Sequence, residues 1–199
     1  MLSIENLKLS SYGKELVKSI SVSLFSGSIT YIKGLNGCGK TTLLQTLAGL
    51  KAIKSGKILL YDLELNNFYK PYCLYIGHNL GLENEMKVID QIDFWASSYN
   101  SPEMIHAALQ FWDLGEILDT KISNLSAGNR KKVALSKLTC CHSDLWLLDE
   151  VETNLDENNI KFLHHAIITK AQAGGIVLLS SHYDTKIKNS QILYMRDFN

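Results

Sequence analysis

The sequence predicts an α/β fold in which a parallel sheet packs beside an antiparallel sheet. A short apolar run at residues 29–32 leads through a glycine-rich loop into a helical pattern that ends near residue 50. Two further apolar runs, at residues 145–148 and 176–180, each end in polar residues, as buried parallel strands do at the edge of a sheet. Residues 2–9 and 16–24 alternate apolar and polar side chains, which predicts two antiparallel strands.

The remaining elements follow from the same periodicities. We predict strands at residues 56–60 and 73–76, and helices at residues 88–99, 102–112, 126–140 and 156–173. Ser101 and Pro102 give the second of these helices a start signal. Because most of the helices fall between two predicted strands, we expect one domain of 199 residues with an inserted helical subdomain at roughly 79–139.

The glycine-rich loop, GLNGCGKTT at residues 34–42, fits the G-x-x-x-x-G-K-[ST] phosphate-binding pattern. Its glycines let the backbone curl so that successive N–H groups point at phosphate oxygens. Lys40 is predicted to reach the β- and γ-phosphates of a nucleoside triphosphate, and the Thr41 hydroxyl to bind Mg²⁺. The expected nucleotide-binding residues of this loop are Gly34, Asn36, Gly37, Cys38, Gly39, Lys40, Thr41 and Thr42.

Two acids follow the strand at residues 145–148. At the carboxyl edge of a parallel sheet, Asp149 is placed to hold Mg²⁺ through its water shell. Glu150 is predicted to be catalytic, because it is placed to orient and polarise the water that attacks the γ-phosphate. Trp146 is predicted to be a core residue. The phosphate loop upstream disfavours the alternative, a strand that merely ends in two surface acids.

The run Leu125-Ser-Ala-Gly-Asn129 resembles the LSGGQ signature of the ABC ATPases, the nucleotide-binding subunits of ATP-driven transporters. It departs from that signature at Ala127 and Asn129. The resemblance implies a P-loop NTPase fold of the ABC type, with a RecA-like core, an antiparallel β subdomain and an inserted helical subdomain. It also implies ATP and Mg²⁺ as cofactors. Ser126 and Gly128 match the residues that, in this family, contact the γ-phosphate of ATP bound by the other subunit of a dimer.

Further positions carry the resemblance. Tyr12 matches the aromatic residue that stacks on adenine, and His182 the switch histidine that contacts the γ-phosphate and the attacking water. Residues 154–156, Asn-Leu-Asp, match the loop that contacts the partner across the dimer. His78 stands where the family usually carries a glutamine that contacts Mg²⁺; a neutral histidine also donates and accepts hydrogen bonds.

Residues 75–82, YIGHNLGL, are similar to the Y-L-G-H-x-x-G of one ABC subfamily, the ATP-binding subunits of the cytochrome c maturation and haem export system. The resemblance implies separate integral membrane permease subunits and a homodimer of nucleotide-binding domains. It also implies a groove at residues 80–86 and 88–95 for a permease helix. Two alternatives stay open: an ATPase of another small-substrate, lipid or lipoprotein exporter, and an ABC protein acting on ribosomes or DNA.

Composition restricts the partners. Lys plus Arg and Asp plus Glu both number 20, so the formal net charge is zero and no basic tract offers a site for nucleic acid. No apolar run is long enough to cross a bilayer, and residues 1–5 lack a secretory signal pattern. We expect a peripheral protein at the cytoplasmic face of the inner or plasma membrane, which it contacts only through partners.

Cysteines and histidines show no ligand spacing. Three of the four cysteines are predicted to be packing residues, whereas Cys38, inside the phosphate loop, is expected to react with thiol reagents and block ATP. His164 and His165 are adjacent on a helix and are predicted to lie at its surface.

Overall fold

A computed structural model of the chain describes residues 1–11, 14–64, 72–181 and 187–198. The first part of the chain forms a four-stranded antiparallel sheet in the order β2-β1-β4-β5. Its strands are β1 (Leu2–Ser11), β2 (Lys14–Leu24), β4 (Lys57–Leu60) and β5 (Leu63–Glu64). Strands β1 and β2 confirm the predicted alternation, whereas β5 was not predicted because its two residues are both exposed.

The second sheet has five strands, all parallel, in the order β6-β7-β8-β3-β9. They are β3 (Ile29–Lys33), β6 (Cys73–Ile76), β7 (Leu145–Asp149), β8 (Ile176–Ser180) and β9 (Gln191–Tyr194). Every residue of β7 and β8 is buried, as expected for strands covered on both faces. The edge strand β9 was not predicted, because its four residues, Gln-Ile-Leu-Tyr, are too few to show a strand period, and only one of them is buried.

Five α-helices complete the described part of the chain: α1 (Lys40–Leu47), α2 (Val88–Ser98), α3 (Ile105–Phe111), α4 (Ala127–Cys140) and α5 (Glu157–Gln172). The helix predicted at residues 102–112 is instead a 3₁₀ turn at Pro102–Met104 followed by α3. The predicted start is confirmed, since Ser101 precedes the turn and Pro102 is its first residue. Ser101 makes no side-chain cap, however, because it is fully buried and its hydroxyl donates to the Cys140 carbonyl at 2.8 Å. Because the Ser101 hydroxyl is held at the end of α4, it does not accept from the amides that it was expected to cap.

Two hydrophobic clusters lie on opposite faces of the parallel sheet. Alternation along β7 divides its residues between them: Leu145 and Leu147 pack with α1 and the antiparallel sheet, and Trp146 and Leu148 with α2 to α5. Trp146 is 4% exposed, which confirms its predicted place in the core. The parallel sheet is thus the central layer, and the loops at its carboxyl edge emerge from a rigid base.

None of the helices in the described ranges combines the length and apolar character needed to cross a membrane.

Candidate nucleotide-binding site

Loops that follow two strands of the parallel sheet meet at its carboxyl edge. There they line a cavity of about 320 Å³ with residues Asn36, Gly37, Gly39, Lys40, Thr41 and Glu150. The first five follow β3, and Glu150 follows β7, two strands away in the sheet. Open α/β sheets bind their ligands at the edge where the carboxyl ends of the strands lie.

The loop between β3 and α1 depends on glycine at two positions. Gly37 has a φ of 78° and Gly39 a φ of 105°, both in the left-handed region that residues with a side chain rarely adopt. Gly39 is the residue that precedes the first turn of α1, so its conformation directs the loop into the helix. A loop of this shape brings backbone amides and the α1 N-terminus toward one point, which suits an anionic phosphate.

Residues behind the loop support it. A Cβ at Gly34 would lie 2.6 Å from the Cys38 sulfur and 3.2 Å from the Met195 Cβ. Cys38 is therefore half-buried with its side chain folded beneath Gly34, and it does not line the cavity. Leu16 and Met195 pack behind Gly39. Met195 is fully buried and lies far along the chain, and no sequence signal pointed to it.

Lys40 is the first residue of α1 and is only 6% exposed. Its ammonium donates to the carbonyl oxygens of Gly34 at 2.9 Å and Leu35 at 3.3 Å. These contacts hold the positive charge beside the loop. Thr41 is exposed at the cavity, whereas Thr42 is buried and its carbonyl accepts from the Thr46 hydroxyl at 2.8 Å.

Asp149, the last residue of β7, is 4% exposed and held from two sides. The Ser180 hydroxyl donates to its Oδ1 at 2.7 Å, and the Tyr75 hydroxyl to its Oδ2 at 3.4 Å. Burial, and then the neighbouring Asp149 charge, raise the pKa of Tyr75 to about 12, so the phenol stays a donor at neutral pH. The Tyr75 ring reaches this position by lying over Gly77, where a Cβ would overlap it.

Glu150 adopts a left-handed conformation, with a φ of 53°. For a residue other than glycine this backbone is strained, and it persists only when the surroundings enforce it. Its N–H donates to the Ser180 carbonyl at 3.2 Å and to the Ser180 hydroxyl at 3.0 Å. The Thr153 N–H donates to the Glu150 carbonyl at 3.2 Å and closes a tight turn.

A buried polar cluster beside this turn was not predicted. Glu152 is 2% exposed; its Oε2 accepts from the Ser181 hydroxyl, and its Oε1 lies 2.7 Å from His164 Nε2. The prediction that His164 lies at the surface is wrong, because its side chain is 20% exposed and bonded to Glu152, whereas His165 is exposed. In the sequence, Glu152 follows two other acids, Asp149 and Glu150, and nothing marks it as buried.

Three other predicted residues stand apart from the cavity. Ser126 caps α4, its hydroxyl accepting from the Asn129 N–H at 3.2 Å. Ser126, Gly128 and His78 are exposed, and none is among the described residues that line the cavity. Tyr12 and His182 lie outside the described residues.

The oxygen donors near the cavity fit a magnesium ion. The Thr41 hydroxyl and the Asp149 carboxylate are hard ligands of the kind that Mg²⁺ prefers, alongside phosphate oxygens and water. Within the described ranges, no group of three or more His, Cys, Asp or Glu side chains is arranged to hold a metal by itself. A metal here would therefore depend on the nucleotide for part of its coordination.

The strand–loop–helix unit, the glycines at positive φ and the acids at the end of β7 define a nucleotide-binding protein of the P-loop type. Residues 17–153 match the family model described as ABC transporter. The chain belongs to the ABC transporter family, which confirms the predicted family and fold class.

Curated relatives extend along the whole chain. The cytochrome c biogenesis ATP-binding export protein CcmA of Rickettsia bellii is 50% identical over 195 residues, covering 98% of this chain and all of that protein. The protein of the same name from Rickettsia felis is 47% identical with the same coverage. That of Vibrio cholerae is 31% identical and covers 98% of each chain.

Solved structures agree in fold. An ABC transporter ATP-binding protein from Pyrococcus furiosus superposes with a TM-score of 0.84 at 21% identity, covering 100% of this chain and 98% of that one. A dimeric ATP-binding cassette in a post-hydrolysis state, bound to ADP and Pi, also gives a TM-score of 0.84, at 15% identity. It covers 98% of this chain and 94% of its own.

Proposed function

We propose that the chain is the ATP-hydrolysing subunit of a membrane complex for cytochrome c biogenesis and haem export. The observation that carries the proposal is the meeting of Lys40 and Glu150 at one cavity, from two different loops of the parallel sheet. The curated relatives supply the biological setting, since they carry that name at up to 50% identity over nearly the whole chain.

In the proposed reaction, the loop amides and Lys40 hold the β- and γ-phosphates of ATP. Thr41 and Asp149 would hold Mg²⁺, which neutralises charge on the phosphates. Glu150 orients a water for attack on the γ-phosphorus and accepts its proton. As the new bond to phosphorus forms, the bond to the β,γ-bridging oxygen breaks, and ADP and phosphate are released. Tyr12 for adenine, His182 and His78 remain predictions from the sequence.

We propose that the site is completed by a second copy of the chain. Ser126 and Gly128 are exposed at the start of α4, and neither is among the described residues that line the cavity. The N-terminus of a helix with small residues around it offers amides and partial positive charge to an anion. In the proposed homodimer, these residues of one protomer contact the γ-phosphate held by the other protomer.

A second cavity supports docking to permease subunits. It measures about 430 Å³ and is lined by Asn79, Gly81, Leu82, Glu83, Met86, Gln91 and Phe94. Phe94 is 57% exposed, although it lies on α2 beside buried residues. We propose that this cavity, within a helical subdomain at 79–139, receives a permease helix at the cytoplasmic face of the membrane. Neither nucleic acid nor direct membrane contact is part of the proposal.

The catalytic proposal is tested with Glu150→Gln, and Glu116→Gln, an exposed glutamate, is the matched control. We expect Glu150→Gln to bind ATP but to lose turnover by at least about 100-fold, the usual contribution of a general base. With ATP it should elute as a dimer. Normal turnover in this variant, with Glu116→Gln also normal, would remove Glu150 from the mechanism.

The biological proposal is tested by affinity purification from detergent-solubilised membranes of the native cell. Recovery of small permease subunits, together with a haem-handling protein and haem, supports the cytochrome c assignment. Recovery of a different permease would assign the ATPase to another exporter. Recovery of ribosomes, or of nothing from the membrane, would contradict the transport assignment.

A further inference from the structure

We infer that Glu152, together with Ser181 and His164, is a positioning group that holds the turn carrying Glu150 in the conformation needed for hydrolysis. The inference rests on the proposed function, because it takes Glu150 to be the catalytic base. Glu152 is not among the described residues that line the nucleotide cavity, so we assign it no direct contact with the reacting atoms. Its effect would pass through the backbone of the turn.

The burial and contacts of Glu152 carry the inference. Ionisable side chains are rarely buried unless partners compensate their loss of water. Both carboxylate oxygens of Glu152 are occupied, Oε2 by the Ser181 hydroxyl and Oε1 by His164 at 2.7 Å. The three residues come from the β7 loop, from the end of β8 and from α5, so the carboxylate ties three separate elements together.

The turn itself needs such support. Glu150 has a left-handed backbone, and only surroundings that enforce this conformation keep it populated. The Thr153 N–H closes the turn on the Glu150 carbonyl at 3.2 Å. Glu152 lies inside this turn, so its side chain holds the middle of the turn against the neighbouring strand and helix. Loss of that contact lets Glu150 relax toward an ordinary backbone conformation.

The anchor for Glu152 is itself rigid. Ser180 and Ser181 are adjacent at the end of β8: Ser180 binds Asp149 and the Glu150 amide, and Ser181 binds Glu152. The Lys33 ammonium donates to the Ser181 carbonyl at 2.8 Å from the neighbouring strand β3. The two serines therefore hold the end of β7 and the following turn at two places, Ser180 at Asp149 and the Glu150 N–H, and Ser181 at Glu152.

The test measures kcat, KM for ATP, nucleotide affinity and melting temperature of Glu152→Ala and Glu152→Gln in the full chain. Because a misplacement of about 1 Å costs up to roughly 100-fold in rate, we expect Glu152→Ala to lower kcat by about 10- to 100-fold. KM and ATP affinity should stay within about twofold, since Glu152 does not touch the nucleotide cavity. Glu152→Gln should recover most of kcat, because the amide oxygen accepts from the Ser181 hydroxyl and the amide nitrogen is able to donate to an imidazole nitrogen.

Neighbouring variants provide matched controls. His164→Ala removes one contact of Glu152 and should lower kcat, whereas His165→Ala, one residue further along α5, should not. Since His164 is partly exposed, its variant decides the question in the event that Glu152→Ala does not fold. A normal kcat in both Glu152→Ala and His164→Ala would overturn the inference.

A double-mutant cycle separates a positioning role from a purely structural one. Single-turnover hydrolysis is measured for Glu150→Gln with and without Glu152→Ala. If Glu152 acts through Glu150, the second substitution adds little in the Glu150→Gln background. An equal loss in both backgrounds, or fewer nucleotide sites per chain, would show a structural role and overturn the inference. Normal turnover of Glu150→Gln alone would instead refute the proposed function.

Discussion

Ser180→Ala removes a single hydroxyl on which both acids of the site depend. Its Oγ donates to Asp149 Oδ1 at 2.7 Å and accepts from the Glu150 N–H at 3.0 Å. After substitution the Glu150 amide still has the Ser180 carbonyl at 3.2 Å, whereas Asp149 keeps, among the described residues, the longer contact with Tyr75. The change should therefore act mainly on Asp149.

The cost can be worked out from these contacts. A hydrogen bond to a charged acceptor contributes about 1.5–3 kcal/mol, and Ser180 is only 1% exposed, so water does not replace it. We expect the free energy of unfolding to fall by about 2 kcal/mol, which for a chain of this size lowers Tm by roughly 4–8 °C. A free-energy difference of about 1.4 kcal/mol changes an equilibrium constant tenfold. A loss of about 2 kcal/mol at Asp149 therefore weakens Mg²⁺ binding in the presence of ATP by at most roughly 30-fold.

The control is Ser143→Ala. The Ser143 hydroxyl is also buried but has no hydrogen-bond partner among the described residues. Removing it should leave stability unchanged or slightly increased, since an unpaired buried polar group is unfavourable. Both variants are compared by denaturant unfolding and by Mg²⁺ titration of ATP binding. Equal effects in the two variants, or no loss of stability in Ser180→Ala, would refute the argument that this hydroxyl holds Asp149.

Three further predictions concern the support of the site. Gly34→Ala should weaken ATP binding because its Cβ meets the Cys38 sulfur, and the double variant with Cys38→Ala should recover part of the affinity measured by calorimetry. A maleimide should modify Cys38 selectively, since the other three cysteines are buried, and bound ATP should slow the reaction; alkylation without loss of nucleotide binding would contradict this. Gly77→Ala should displace the Tyr75 ring and reduce kcat, whereas Tyr75→Phe tests the hydroxyl alone.

The parts of the site that follow from local patterns were predicted from the sequence. The phosphate loop could be predicted because its glycines, Lys40 and Thr41 lie within one short segment, and the flanking strand and helix have distinct periodicities. The end of β7 is equally clear, since five buried residues lead directly to Glu150. Each of these features needs only neighbouring residues for its geometry.

The residues that brace the site could not be predicted because their contacts span the chain. Met195 packs behind a loop that begins at Gly34. The Ser181 hydroxyl, just after β8, donates to Glu152, which follows the neighbouring strand β7. Ile160, Ile167 and Ile168 lie one turn from His164 on α5, so the local pattern indicates a partly apolar face, but it does not identify Glu152 as the partner of His164. Such pairings become visible only when the parallel sheet has brought the strand ends together.

The contrast between braced and exposed residues gives the proposed mechanism its physical basis. Asp149 and the Glu150 turn are buried or tied by several hydrogen bonds, whereas Ser126 and Gly128 lie exposed at the start of α4. In the proposed dimer, a rigid half of the site in one protomer meets an exposed half in the other, so ATP binding is completed only on association. Hydrolysis removes the γ-phosphate that joins the two halves, and this loss favours separation. In the proposed complex, the breakage of one bond is thereby converted into movement of the subunits attached to the two copies.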